Sequence, residues 1–134
     1  MQLNKFTDIA LKSFMYLQTA HNLSRIDDIV EYYSIPRNHL IKVLNYMVHK
    51  NWIASVRGRS GGLYYLEECD DLKLGSIISD LEGNSELINC NECRLRENCI
   101  LRGMFTGAQQ AFYQYLNQYT LKDLKSQKFF NFPS

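Results

Sequence analysis

Three amphipathic stretches near the N-terminus leave few folds open to this chain. Between Phe6 and Leu17, apolar residues recur at three- and four-residue intervals, which is the spacing of one helical face. Ser24, followed by Asp27 three positions later, predicts the N-cap of a short second helix. Pro36 ends that helix and suits the first turn of a third one. Two helices joined by a tight turn predict a helix-turn-helix unit.

A glycine-rich hairpin follows the third predicted helix. Residues 52–56 and 63–66 have the composition of strands, and they flank the sequence RGRSGG at positions 57–62. A hairpin in this position is the wing of a winged helix-turn-helix. We therefore predict a mainly α fold with a small β-hairpin wing, in which residues 1–66 form a DNA-binding domain.

The charges are distributed unevenly along the chain. Residues 1–66 carry eight Lys and Arg against four Asp and Glu, whereas residues 67–134 carry seven against ten. No acidic residue lies between Tyr32 and Leu66, where five cationic residues and two histidines occur. A basic face on a helix-turn-helix unit is typical of a protein that binds nucleic acid.

The candidate DNA contacts lie on the third helix and on the wing. Asn38 can pair bidentately with adenine, and Lys42 can reach a phosphate or a base edge. Arg57 and Arg59 have the reach to enter a narrow minor groove. The full set is Arg37, Asn38, His39, Lys42, Asn45, His49, Arg57, Gly58, Arg59, Ser60, Gly61 and Gly62. The alternative, a solvated helix face beside a flexible hairpin, does not explain why helix, turn, wing and positive charge coincide.

Residues 67–134 predict a second region with a cysteine loop and a dimerisation helix. A short helix ends at Gly83, and Thr120 caps a last turn. Between them we place a loop over 83–100 and a helix over 101–119 with a long apolar stripe. Because one helix in so small a protein cannot bury such a stripe alone, we expect it to pair with its copy in a two-fold homodimer.

Three of the four cysteines fall within ten positions, at Cys90, Cys93 and Cys99. In a reducing compartment, such a group predicts a metal site rather than disulfides. A structural zinc site normally takes four protein ligands. The remaining cysteine, Cys69, reads as a buried small residue. Three thiolates with an open fourth position favour an iron–sulfur cluster, with zinc and inert thiols as the alternatives.

Other classes of protein are disfavoured. The chain has no apolar run long enough to span a membrane, and its N-terminus lacks the core and cleavage site of a signal peptide. We therefore expect a cytoplasmic protein with no membrane partner. The absence of a phosphate-cradling loop, a paired-carboxylate pattern and a nucleophile motif predicts that it is not an enzyme.

Four segments carry a family resemblance. They are MQLNKFTDIALKSFMYL, SIPRNHLIKVLNYMVHKNWIASVRGRSGGLYYL, the three-cysteine loop and YTLKDL. Together they resemble the NsrR-like nitric-oxide-sensing repressors, a branch of the winged-helix iron–sulfur regulators that also include IscR. The resemblance implies a homodimer that binds a palindromic double-stranded operator, with a cluster near the dimer interface that switches the affinity.

The resemblance also implies a fourth cluster ligand. In NsrR-like proteins it can be an aspartate near the N-terminus, donated by the other subunit, and Asp8 occupies the matching place. Without the resemblance, Asp8 reads as a carboxylate favoured by the dipole of the first helix. The implied cofactor ligands are thus Cys90, Cys93, Cys99 and Asp8, and the implied effector is nitric oxide.

Two departures from the family pattern bear on these expectations. Arg102 stands three residues after Cys99, where IscR-like proteins have a histidine ligand, which disfavours that branch. Only two residues separate Cys90 from Cys93, where the family pattern has four or more. We expect [4Fe–4S], with [2Fe–2S] as the alternative. The alternative functions are a regulator of the same family that senses iron or cluster status, and a zinc-stapled adaptor without redox sensing.

Overall fold

The computed structural model describes residues 2–83 and 86–133. Its elements, in chain order, are α1 (Lys5–Thr19), α2 (Ile26–Tyr33), α3 (Arg37–His49), β1 (Ile53–Val56), β2 (Gly62–Tyr65), a 3₁₀ turn (Glu67–Cys69), α4 (Leu74–Glu82), α5 (Ile100–Leu116) and a C-terminal 3₁₀ helix (Leu121–Ser126). The two strands pair antiparallel. The predicted mainly α fold with a hairpin wing is confirmed. None of the helices within the two described ranges has the length and apolar character that a membrane span needs.

The start of α1 is tied to the end of α4. The Asn4 side chain accepts a hydrogen bond from the Thr7 backbone N–H at 2.8 Å, which caps α1. The Thr7 hydroxyl and the Asn4 backbone N–H both donate to the Glu82 carboxylate at the last residue of α4. These bonds place the N-terminus of the chain against the segment that leads into the cysteine loop.

The prediction that Ser24 caps α2 is wrong. Arg25 is the residue before α2, and its backbone N–H donates to the Asp28 carboxylate at 2.8 Å. Ser24 is instead buried, at 4% exposure, and its backbone pairs with that of Leu63 in β2. The local N-cap rule fails here because the backbone of Ser24 pairs with a strand that is distant in sequence.

Phe14 of α1 lies at the centre of the core. It is fully buried, and its ring lies 5.7 Å from that of Trp52 and 6.3 Å from that of Tyr65. The same cluster of buried side chains continues into α4 and the C-terminal 3₁₀ helix, which contribute Ile77 and Leu121. The packing therefore joins both halves of the chain, and the division at residue 66 stays a prediction.

The C-terminal tail folds back onto α1 and α2. The ring of Phe132 lies 4.7 Å from that of Tyr16 and 5.8 Å from that of Tyr32. The Tyr32 hydroxyl also donates to the backbone carbonyl of Phe130 at 2.8 Å. The sequence beyond Lys125 gave no expectation, although the closely spaced phenylalanines of the tail were a signal that it packs.

Candidate nucleic-acid interface and metal centre

The two faces of α3 differ as the sequence predicts. Leu40, Val43, Leu44 and Met47 are all 2% exposed or less, and they pack into the core. Asn38, Lys42, Asn45 and His49 are exposed, and at about 100° per residue they fall on one side of the helix. A helix built in this way presents a polar, cationic surface without exposing its apolar residues.

Arg37 and His39 flank that surface and are also exposed. The Arg37 guanidinium forms an ion pair with Asp27 of α2, with Nε and Oδ1 3.0 Å apart. Since both side chains are more than half exposed, the pair contributes little to stability. It does place a cation at the junction between the two helices of the helix-turn-helix.

Gly58 and Gly61 shape the turn at the wing tip. Gly58 has a φ of 108°, a conformation that other residues rarely adopt. A Cβ atom at Gly61 would lie 2.0 Å from the backbone oxygen of Val56. Arg57, Arg59 and Ser60 are exposed around this turn, while Gly61 and Gly62 are half-buried. The glycines therefore make a tight turn from which two arginines project.

Sequence reasoning missed two residues that hold the wing. Ser24 and Leu63 exchange backbone hydrogen bonds of 3.0 and 2.7 Å, so the segment before α2 extends the hairpin. The Arg25 guanidinium donates to the backbone carbonyl of Arg59 at 2.6 Å. No local pattern could have indicated these contacts, because the partners are far apart in sequence. Arg25 and Arg59 are 34 positions apart, and the helix-turn-helix lies between Ser24 and Leu63.

The three clustered cysteines have different environments. Cys90 is buried, Cys99 is half-buried and directly precedes α5, and Cys93 is exposed. The backbone N–H of Cys93 donates to the Cys90 carbonyl at 3.3 Å, so a turn joins the first two. Of the loop predicted over 83–100, residues 84 and 85 lie outside the described residues. Within the described part of the chain, no three His, Cys, Asp or Glu side chains converge as a metal site.

Arg102 of α5 faces the cysteine loop. Its guanidinium forms an ion pair with Glu86 at 2.8 Å and donates to the Arg96 carbonyl at 3.3 Å. Glu86 raises the pKa of Arg102 above its ordinary value, with smaller contributions from Cys90 and Cys99. The position three residues after Cys99 therefore holds a permanent cation close to two of the thiols.

Asp8 does not converge with these cysteines as a metal site among the described residues. It lies exposed on α1 and forms an ion pair with Lys12, one helical turn further along, at 2.8 Å. Its carboxylate therefore stays at the surface. The ligand role that the resemblance implies for Asp8, as a residue donated by the other subunit, stays a prediction.

Cys69 is buried, as the sequence predicts. It is 5% exposed, and its thiol donates to the Asn51 backbone carbonyl at 3.2 Å. Burial, with smaller contributions from Glu68 and Asp70, raises the pKa of the Cys69 thiol. A neutral buried thiol with a hydrogen-bond partner is a packing residue, so the geometry gives no support to a zinc site built from all four cysteines.

The donor set of the loop fits an iron–sulfur cluster in its chemistry. Three soft thiols lie on one short segment, beside the positive charge of Arg102, and thiolates are the ligands that such clusters take. A cavity of about 390 Å³ lies against Cys90, Arg96 and Arg102. The single chain supplies the ligand types and the compensating charge, and binding a cluster would require the loop to bring the thiols together.

Comparison with known proteins identifies the family. Residues 3–127 match Rrf2, described as an iron-dependent transcriptional regulator. The chain belongs to the Rrf2 family.

Two curated relatives share the name HTH-type transcriptional regulator NsrR. The protein from Shouchella clausii is 36% identical over 131 residues, which cover 92% of this chain and 88% of the relative. The protein from Halalkalibacterium halodurans is 34% identical over 131 residues, with coverages of 92% and 90%. The resemblance stated from the sequence is confirmed by these matches.

Solved structures of Rrf2 proteins agree with the fold. CymR, the global cysteine regulator of B. subtilis, matches with a TM-score of 0.73 at 20% identity and covers 96% of this chain and 99% of its own. IscR from T. potens matches with a TM-score of 0.72 at 18% identity, with coverages of 96% and 89%. This Rrf2 protein is a DNA-binding transcriptional regulator, and the prediction that it is not an enzyme is confirmed by its family.

Proposed function

We propose that this Rrf2 protein is a homodimeric repressor whose affinity for a palindromic operator is set by an iron–sulfur cluster that responds to nitric oxide. The observation that carries the proposal is the position of Cys99. It is the last cysteine of the loop and also the residue that directly precedes α5. A change in the loop therefore acts on the start of this helix.

The DNA-binding step uses the exposed face of α3 and the wing. Asn38 and Asn45 carry amide groups that can read base edges in the major groove, and Lys42 provides charge for a phosphate. Arg57 and Arg59 extend from the wing into the adjacent minor groove. The segment from Tyr32 to Leu66, which carries this surface, has no acidic residue of its own that would repel DNA.

The dimerisation step uses α5. None of its residues is buried within the single chain, and Ile100 and Met104 are 77% and 61% exposed. An exposed apolar helix face is stabilised when a second copy of the chain covers it. The spacing of the two α3 helices must then match half-sites about 34 to 36 Å apart, so a shift of α5 changes operator affinity.

The sensing step uses Cys90, Cys93 and Cys99, with Asp8 of the partner subunit as the fourth ligand. When bound, a [4Fe–4S] cluster would supply iron atoms that nitric oxide can ligate. The side chain of Arg102 offsets the negative charge of the thiolates and holds the loop through Glu86 and the Arg96 carbonyl. If these thiolates no longer held a cluster, the loop next to α5 would lose a constraint. The two relatives named NsrR support this assignment.

The proposal is tested with protein purified without oxygen and a duplex that it selects from a randomised library. Visible absorption, iron, sulfide, zinc and duplex affinity are measured before and after addition of nitric oxide. We expect a coloured iron protein that releases the duplex when nitric oxide is added. A colourless zinc protein, even after cluster reconstitution, would remove the sensing step and favour the adaptor function.

Two cysteine variants make a matched pair for this experiment. Cys93→Ala removes an exposed loop thiol, and Cys69→Ala removes a buried thiol that lies outside the loop. We expect Cys93→Ala to lose the colour and the response to nitric oxide while it keeps its helical circular dichroism. Cys69→Ala should keep both the colour and the response. Equal loss of colour in the two variants would contradict the ligand assignment.

A second candidate is a regulator that senses iron or cluster status. The description of Rrf2 as an iron-dependent transcriptional regulator favours it. In that case an iron chelator releases the duplex, whereas nitric oxide leaves the affinity unchanged in protein that contains iron.

A further inference from the structure

A segment outside the two strands also packs against the wing. Residues 23–25 run along the outer edge of β2, where Ser24 and Leu63 exchange backbone hydrogen bonds. A Cβ atom at Gly62 would lie 2.8 Å from the Ser24 carbonyl oxygen and 2.9 Å from the Leu23 Cβ. The segment before α2 thus packs against the hairpin at a distance that only glycine allows.

Arg25 extends this attachment to the tip of the wing. Its Nη2 donates to the backbone carbonyl of Arg59 at 2.6 Å, a charge-assisted bond between two residues 34 positions apart. Arg25 also directly precedes α2, the first helix of the helix-turn-helix. One side chain therefore connects the body of the helix-turn-helix to the backbone that carries the proposed minor-groove arginine.

The tip has little else to order it. Within the described structure, residues 57–61 form one backbone hydrogen bond of their own, from the Gly61 N–H to the Gly58 carbonyl at 3.1 Å. Gly58 has no Cβ atom, so its backbone can adopt more conformations than that of other residues, including the positive φ seen here. A loop that must be ordered when it binds DNA loses affinity for that reason.

We infer that Arg25 is a positioning residue for DNA binding, which holds the wing tip in place before the DNA is bound. Arg25 acts through the Arg59 carbonyl rather than through a contact of its own with a phosphate or a base. This inference rests on the proposed role of Arg57 and Arg59 in the minor groove. It adds to that role a residue outside the basic, acid-free segment.

The test is a mutant cycle on affinity for the selected duplex. The variants are Arg25→Ala, the Arg57→Ala/Arg59→Ala pair and all three substitutions together. Lys122→Ala is the control, since it removes one exposed cation from the C-terminal 3₁₀ helix. We expect Arg25→Ala to weaken binding about tenfold in the intact wing, and to have no further effect once both wing arginines are removed. Lys122→Ala should bind like the wild type.

Each outcome separates the inference from the proposed function. If the wing pair leaves affinity unchanged, the proposed minor-groove role fails. If the wing pair weakens binding and Arg25→Ala does not, only the positioning role is overturned. An Arg25→Ala effect that is equally large with and without the wing arginines also overturns it, because Arg25 then acts independently of the wing.

A second measurement reads the tip directly. Backbone order parameters from nitrogen-15 NMR relaxation are compared between wild-type protein and Arg25→Ala, both free of DNA. We expect the order parameters of residues 57–61 to fall in the variant while those of α3 stay the same. Since Arg25 is exposed and its cap to Asp28 uses the backbone N–H, the fold survives the substitution. Unchanged order at the tip would overturn the inference.

Discussion

Gly75 lies where α4 packs tightly against α5 and the residue that follows it. A Cβ atom there would lie 2.0 Å from the backbone oxygen of Tyr113 and 2.5 Å from the side-chain oxygen of Asn117. Real Cβ atoms essentially never lie closer than 3.0 Å to another heavy atom, so Gly75→Ala must push the α5 backbone about 1 Å away. Because the obstacle is a backbone carbonyl, no change of rotamer can relieve it.

Two contributions destabilise Gly75→Ala, and the higher helix propensity of alanine offsets them by about 0.5–1 kcal/mol. Overpacking of this kind costs about 1–3 kcal/mol. The displacement also stretches the hydrogen bond of 2.9 Å from the Ser76 N–H to the Asn117 side chain, which contributes about 1 kcal/mol. We therefore expect Gly75→Ala to lower the free energy of unfolding by about 1–3 kcal/mol.

Gly103 provides the matched control. It lies inside α5, and a Cβ there would meet no other atom within 4 Å. Gly103→Ala should therefore raise helix stability by about 0.5–1 kcal/mol. Both variants are unfolded in urea and followed by circular dichroism at one protein concentration, because the stability of an oligomer depends on concentration. A wild-type urea midpoint for Gly75→Ala would refute the close helix crossing. A concentration-dependent loss for Gly103→Ala would indicate that a second copy covers this face.

Two further variants test contacts outside the site. Burial alone would raise the pKa of Asp70, but hydrogen bonds from Lys125 and Tyr65 hold it below its ordinary value. Its stabilisation is therefore complete above the pKa of the unfolded carboxyl and is lost as the pH falls through the lower folded pKa. Asp70→Asn should lower the free energy of unfolding by about 1–3 kcal/mol at neutral pH. It should also make that free energy less sensitive to acid, which urea titrations across the acid range would measure. Phe132→Ala should cost about 1–3 kcal/mol, since its ring is only partly buried against Tyr16, and a thermal melt without a downward shift would contradict this packing.

The sequence predicted the elements that depend on local chemistry. The polar and apolar faces of α3 follow from the helical period, and the turn at Gly58 follows from a glycine that tolerates positive φ. The last helical turn begins as predicted at Thr120, whose backbone N–H donates to the Asp123 carboxylate at 2.8 Å. Cys69 could also be placed in the core, since a lone cysteine far from the others behaves as a small apolar residue.

The candidate site was predicted less completely. The exposure of the α3 face and of the wing arginines agrees with the sequence, because charge and periodicity place them at the surface. The capping of α2 did not follow the local rule, since Ser24 pairs with β2 and the cap passes to Arg25. Spacing alone identified the three loop thiols, but it could not give their relative positions, which depend on how the loop folds against Arg102.

The sequence by itself determined which segments are helical, where the chain turns and which residue types gather in the basic segment and the cysteine loop. These properties arise from interactions within a few residues, so they can be read along the chain. Only the tertiary structure decided that Arg25 holds the Arg59 carbonyl, that Gly75 lies under Tyr113 and that Phe132 returns to Tyr16. Each of these contacts joins residues far apart in sequence. They form because burial and hydrogen bonding select one arrangement of the finished elements, and no local period encodes that selection.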